Sequence, residues 1–92
     1  MDIKRLPDTF MKYGYAFKLV QRGRNKAIYA EYLGNHHFAY EVIKIRVHPA
    51  RYNAFFDRHD PEMEIYPSSE QWGRMGWTCN TWERASEKYN QI

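Results

Sequence analysis

Between Tyr13 and Val47 the chain alternates side chains of opposite character, and it interrupts the alternation at two clusters of turn-forming residues. Tyr13, Tyr15, Phe17 and Leu19 fall on one side of an extended strand and Gly14, Ala16, Lys18 and Val20 on the other, the period of two expected of a strand. In Gln21-Arg22-Gly23-Arg24-Asn25, Gly23 and Asn25 can take positive φ, and Lys26 to Leu33 then resumes a strand-like composition with Ile28, Tyr29, Tyr32 and Leu33. Gly34-Asn35 makes the next turn. Phe38 to Val47 is the longest β-rich run: Ile43, Ile45 and Val47 share one face, and Lys44 and Arg46 share the other with Phe38, Tyr40 and Val42. The pattern predicts a three-stranded antiparallel meander.

The last third supplies what would cover such a sheet. Trp72, Trp77 and Trp82 fall within eleven residues, and each can bury about 200 Å². Ser68 with Gln71 three residues on has the form of a capping box, and Gly73 can close a short helical turn by taking a left-handed conformation. Asn80 with Glu83 repeats that logic and predicts a helix over about 81–91, whose stripe of Trp82, Ala85, Tyr89 and Ile92 faces the sheet. Between the two, Gly76-Trp77-Thr78-Cys79 reads as a brief strand. The expected fold is α+β: a three- or four-stranded antiparallel sheet, with an added strand near 62–66 or 76–79, and a C-terminal helix packed on one face. Phe17, Leu19, Ile28, Ile43, Ile45, Trp77, Trp82, Ala85 and Tyr89 are the expected core.

Ninety-two residues have surface for one core, so 1–92 reads as a single domain. Residues 1–12 read as a partly ordered arm docked through Leu6, Phe10 and Met11, and 49–61, bounded by His48-Pro49 and Asp60-Pro61, as a long loop with a turn of helix at 50–56. The single Cys79 excludes an internal disulfide and fits a reducing compartment. With neither a signal-peptide pattern nor a long apolar run, the chain is expected to be cytoplasmic and away from the membrane.

No catalytic, metal or phosphate-loop signature stands out. His36-His37, His48 and His59 lack the paired spacing of zinc ligands, and Cys79 beside the helix cap reads as a small packed residue. The expectation is a non-enzymatic protein with no cofactor and no metal. With seventeen per cent aromatic residues, the chain has a surplus of aromatics and arginines over what one small core absorbs, which is the composition of binding hot spots, while a net charge of +3 is only mildly basic. Arg22, Arg24, Tyr29, Lys44, Arg46, Tyr52 and Arg58 are the candidate partner-binding residues.

Two resemblances bear on the partner. Trp72-Gly73-Arg74 with Gly76, followed by a strand and a terminal helix containing Ala85, resembles the signature of the WGR domain, a DNA-binding module of poly-ADP-ribose polymerases. Tyr66-Pro67-Ser68-Ser69-Glu70, Trp72-Gly73, Gly76-Trp77, Thr81, Glu83, Ala85 and Lys88-Tyr89, with Tyr40-Glu41-Val42 upstream, are similar to small phage-borne proteins, which include host-takeover factors and anti-CRISPR inhibitors. The second resemblance implies a protein that, if phage-encoded, works in the host cytoplasm, where it binds and inhibits a host protein or nucleoprotein complex such as a CRISPR effector. The first implies a DNA-binding module, and the alternative reading is a nucleic-acid-binding module using the sheet face where Lys44 and Arg46 emerge, basic and aromatic together and suited to a phosphate backbone.

Overall fold

In the computed structural model, which describes residues 3–92, nine strands and one helix form a central body and a projecting arm. Met1 and Asp2, part of the expected N-terminal arm, lie outside the described residues. The body is a five-stranded antiparallel sheet, in the spatial order β1 (Thr9–Lys12), β2 (Tyr15–Arg22), β3 (Lys26–Leu33), β4 (His36–Lys44) and β9 (Gly76–Cys79). The helix α1 (Trp82–Gln91) packs against β3, β4 and β9. The α+β architecture is as expected, with the brief 76–79 strand on the β4 edge.

Several boundaries differ from the sequence reading. Tyr13 does not begin a strand. Tyr13 and Gly14 take φ of 54° and 81° and form the tight turn that pairs Lys12 with Tyr15, so β1 lies inside the segment expected to be an arm. Met11 does not dock and is 69% exposed. The helix is capped by Thr81 rather than Asn80: the Thr81 hydroxyl accepts from the Arg84 backbone N–H at 3.2 Å. The short 3₁₀ turn Ser69–Gln71 forms where expected, with the Gln71 side chain accepting from the Ser68 N–H at 3.0 Å and Gly73 at φ 94°.

Strand alternation places core residues on both faces of the sheet. Ile28 and Val42 point to the helix and meet Ala85 and Tyr89. Phe17, Ala27, Tyr29, Ile43 and Ile45 point the other way, where Leu6, Phe10, Tyr66 and Trp72 cover them. The rings on this second face interlock: Phe10 stacks on Phe17 at 4.8 Å, and Phe10, Tyr29 and Tyr66 meet edge to face at 5.2–5.6 Å. Leu19 is only half-buried, as is Trp77, across whose ring the Lys88 ammonium lies at 5.0 Å. Trp82 falls outside the core altogether. It is 41% exposed on the first turn of the helix, with its ring edge-on to Tyr40.

The stretch expected to be a long loop with a helical turn is instead a β-hairpin arm. β5 (Arg46–His48) pairs with β8 (Met63–Ile65) and β6 (Arg51–Asn53) with β7 (Arg58–Asp60), all in one continuous register. The ladder is interrupted only where that register sets Pro49 opposite Glu62 and Ala50 opposite Pro61, because proline has no N–H to donate. The short strand expected near 62–66 therefore exists, but it belongs to the arm rather than to the main sheet.

Candidate binding surfaces

The root of the arm is clamped to the body through Glu64 of β8. Its side chain is 4% exposed and accepts from the Leu6 backbone N–H at 2.9 Å and from the Arg22 guanidinium, with Arg5 at 3.8 Å. Burial alone would raise this carboxyl, but the hydrogen bonds from Arg22 and Leu6 and the two arginine charges outweigh it and hold Glu64 below the ordinary carboxylate range. Lys4 adds a parallel bridge alongside, its N–H donating to Glu62 O at 2.9 Å and its carbonyl accepting from the Glu64 N–H at 2.8 Å.

The tip is ordered by its own side chains. Asn53 Oδ1 accepts from the N–H groups of Phe55 and Phe56 at 3.1 and 3.3 Å, the Asn-headed turn that lets a polar side chain replace strand pairing. Asp57 takes φ 49° to complete the reversal, and its carboxylate accepts from the Tyr52 hydroxyl, which pushes that phenol's pKa upward. Phe55 and Phe56 are thereby held outward, edge to face at 4.8 Å, and are 87% and 61% exposed. The Arg58 guanidinium lies 5.1 Å over the Phe56 ring while pairing with Asp60 at 3.1 Å.

Of the seven residues expected to bind a partner, Tyr52 and Arg58 belong to this tip, and Arg46 is exposed on β5. Arg24 is exposed at the β2–β3 turn. Lys44 is half-buried at the end of β4, beyond which Ile45 separates it from Arg46 on a different sheet. Two expectations are overturned. Tyr29 is fully buried: the alternation of β3 turns it into the second core, where its hydroxyl donates to the Pro7 carbonyl at 2.7 Å. Arg22 is taken up by Glu64 and is no free cation.

Sequence reasoning did not single out Phe55 and Phe56, the two most exposed large hydrophobic residues of the tip. The signal was present: two adjacent phenylalanines between turn-forming Asn53 and Asp57, with one proline on each side, at 49 and 61. Lys26, neighbour of the basic turn, is structural as well. Its ammonium donates to the Tyr89 and Ile92 carbonyls at 2.7 and 3.2 Å and lies 4.4 Å over the Tyr89 ring, closing the negative end of the helix. Trp72 of the Trp-Gly-Arg tripeptide is an inward prop: it packs on Tyr66 and donates from Nε1 to Thr78 Oγ1 at 3.0 Å. Burial pushes the Cys79 thiol up, partly countered by Lys88 and Arg84, which leaves it a poor nucleophile at neutral pH. Among the described residues no three His, Cys, Asp or Glu side chains converge as metal ligands, and no helix is long and apolar enough to cross a membrane. A scan against protein-family models, a search of curated proteins and a search of solved structures each return no match for this chain.

Proposed function

We propose that this is a non-enzymatic binding protein that engages a partner protein through the tip of its arm, with Phe55 and Phe56 as the anchors. The observation that carries the reading is the exposure, 87% and 61%, of two adjacent aromatic rings on a turn that Asn53 and Asp57 hold in shape. Pre-ordered aromatic anchors lose little freedom on docking, and such rings dominate the energetics of protein interfaces. A radius of gyration of 14.7 Å, against roughly 12 Å for a compact chain of this length, fits an arm that reaches out from the body.

Charge argues for a protein rather than a nucleic acid on this surface. Over 46–65 the arm carries Arg46, Arg51 and Arg58 against Asp57, Asp60, Glu62 and Glu64, so it has no net positive charge to draw a phosphate backbone. Occupancy of a host nucleoprotein complex, a CRISPR effector among them, is the narrower form of the proposal. The rival nucleic-acid reading rests on Lys44, Arg46 and Arg74, of which the two arginines are exposed.

The test compares wild-type protein with a Phe55→Ser/Phe56→Ser double variant as bait in nuclease-treated host lysate, with a duplex titration at two salt concentrations alongside. Retention of a defined protein by the wild type and its loss by a folded double variant is the expected result. Salt-sensitive duplex binding that is indifferent to the two phenylalanines would overturn it in favour of the rival.

A further inference from the structure

On the sheet face opposite the helix, an open cavity of ≈ 420 Å³ is lined by the rings of Tyr13, Tyr15, Phe17 and Trp72, the carboxylates Glu31 and Glu41, and Lys12. The carboxylates come from neighbouring strands, since Glu31 of β3 pairs with Ala39 of β4, two residues from Glu41. Side chains so placed are diagonal neighbours on one face, close enough for long side chains to interact. Glu31 is 8% exposed, and among the described residues neither carboxylate has a cation within 4.0 Å. Burial first, then the charge of Glu41 and a hydrogen bond shared with it, raise the Glu31 pKa, with Lys12 as the opposing charge. Glu41 in turn accepts from the Tyr66 hydroxyl.

Two carboxylates under four rings are an unfavourable arrangement when empty and a favourable one around a cation. Aromatic rings attract an ammonium group through their negative π-faces and offer nothing to the water shell that a hard metal ion retains. The chain already shows the preference, because the Lys12 ammonium at the cavity's edge lies 5.3 Å over the Tyr66 ring and 5.5 Å over that of Tyr13. We infer that this cavity is a binding site for an alkylammonium group, held by the rings of Tyr13, Tyr15 and Trp72 and charge-paired with Glu31 and Glu41. The site lies on the body, so it stands or falls independently of the arm.

The test is a titration of isotopically labelled protein, followed by NMR, with tetramethylammonium and with n-butylammonium at constant ionic strength, and with tert-butanol as the uncharged control of similar shape. The indole N–H of Trp72 and the amides of Tyr15 and Glu31 are expected to shift saturably with the ammonium probes and not with tert-butanol. A stronger response to butylammonium assigns a primary amine such as a lysine side chain, and a stronger response to tetramethylammonium assigns a quaternary headgroup. Glu31→Gln and Glu41→Gln should each weaken binding by roughly tenfold, and Lys12→Met, which removes the resident cation, should strengthen it. Equal shifts with tert-butanol on the wild type, or no saturation by about 50 mM of either ammonium, would overturn the assignment.

Discussion

The body and the arm are made of the same materials, aromatic and basic residues on antiparallel strands, and they use them in opposite ways. In the body, Phe10, Phe17, Tyr29 and Tyr66 interlock because a second layer, the N-terminal segment and the chain around Tyr66 to Trp72, lies over the sheet. In the arm, Tyr52, Phe55 and Phe56 face water because the paired strands have no covering layer. Burial is decided by whether another part of the chain arrives on top, and residue type alone does not say. Two-stranded hairpins are marginal by themselves, so the arm depends on its Glu64 clamp.

If the body is the layered region, its buried rings should be the costliest to remove. Tyr29 has no exposed surface and touches both Phe10 and Tyr66, so Tyr29→Ala should destabilise by about 3–5 kcal/mol in chemical denaturation. A loss below about 1 kcal/mol would mean that the second layer is not packed. Next comes Gly76, where an added methyl would lie within 2.8 Å of three atoms of the Trp72 ring. Gly76→Ala should cost about 1–3 kcal/mol and displace that indole, seen as a shifted Nε1–H resonance. Pairing it with Trp72→Ala, which removes the ring that clashes, should make the two effects clearly non-additive.

The clamp joins the two regions, and its failure should have a pH signature. Arg22→Ala leaves a nearly buried Glu64 carboxylate with one fewer donor and should cost about 1–3 kcal/mol at neutral pH. Because the folded-state pKa of Glu64 is lowered, its contribution is present above the unfolded value of about 4.3 and is lost as pH falls through the folded one. The gap between wild type and variant in a series of melting curves should therefore narrow toward acid pH. A gap of constant width would separate the arm's attachment from this ion pair.

How much of this was legible in the sequence follows from range. The strands β2 to β4 and the stripe of Ala85, Tyr89 and Ile92 on the helix were readable because period and turn chemistry are local. The strand at Gly76–Cys79 was readable as an element, although its place beside β4 is a long-range pairing. The arm was not readable as a hairpin: its prolines look like breaks when read one at a time and become matched interruptions only once the register is known. Tyr29 was misassigned for the same reason, since a strand with Ala27, Ile28, Tyr29 and Ala30 all buried has two buried faces and period alone cannot say so. Trp82 was misassigned because it lies on the stripe but is the first helical residue, where its ring meets Tyr40 edge-on and remains 41% exposed.

The smallest expected effect is the most informative about the difference between the regions. Phe55→Ser and Phe56→Ser remove rings that are 87% and 61% exposed and that meet each other and the Arg58 guanidinium, and the turn's hydrogen bonds use the Asn53 side chain and backbone N–H groups that serine retains. The double variant should therefore match the wild type to within about 0.5 kcal/mol in chemical denaturation. In the body the same residue-type change is expected to be several times costlier: Phe17→Ser removes a ring that is 4% exposed and stacked on Phe10. A destabilisation of the tip variant comparable to that of Phe17→Ser would show that the arm folds back onto the body in solution, and the anchors would then be core residues. Unchanged stability together with reduced tendency to self-associate or to bind hydrophobic dye would leave the two rings as exposed anchors, available to a partner at no expense to the fold.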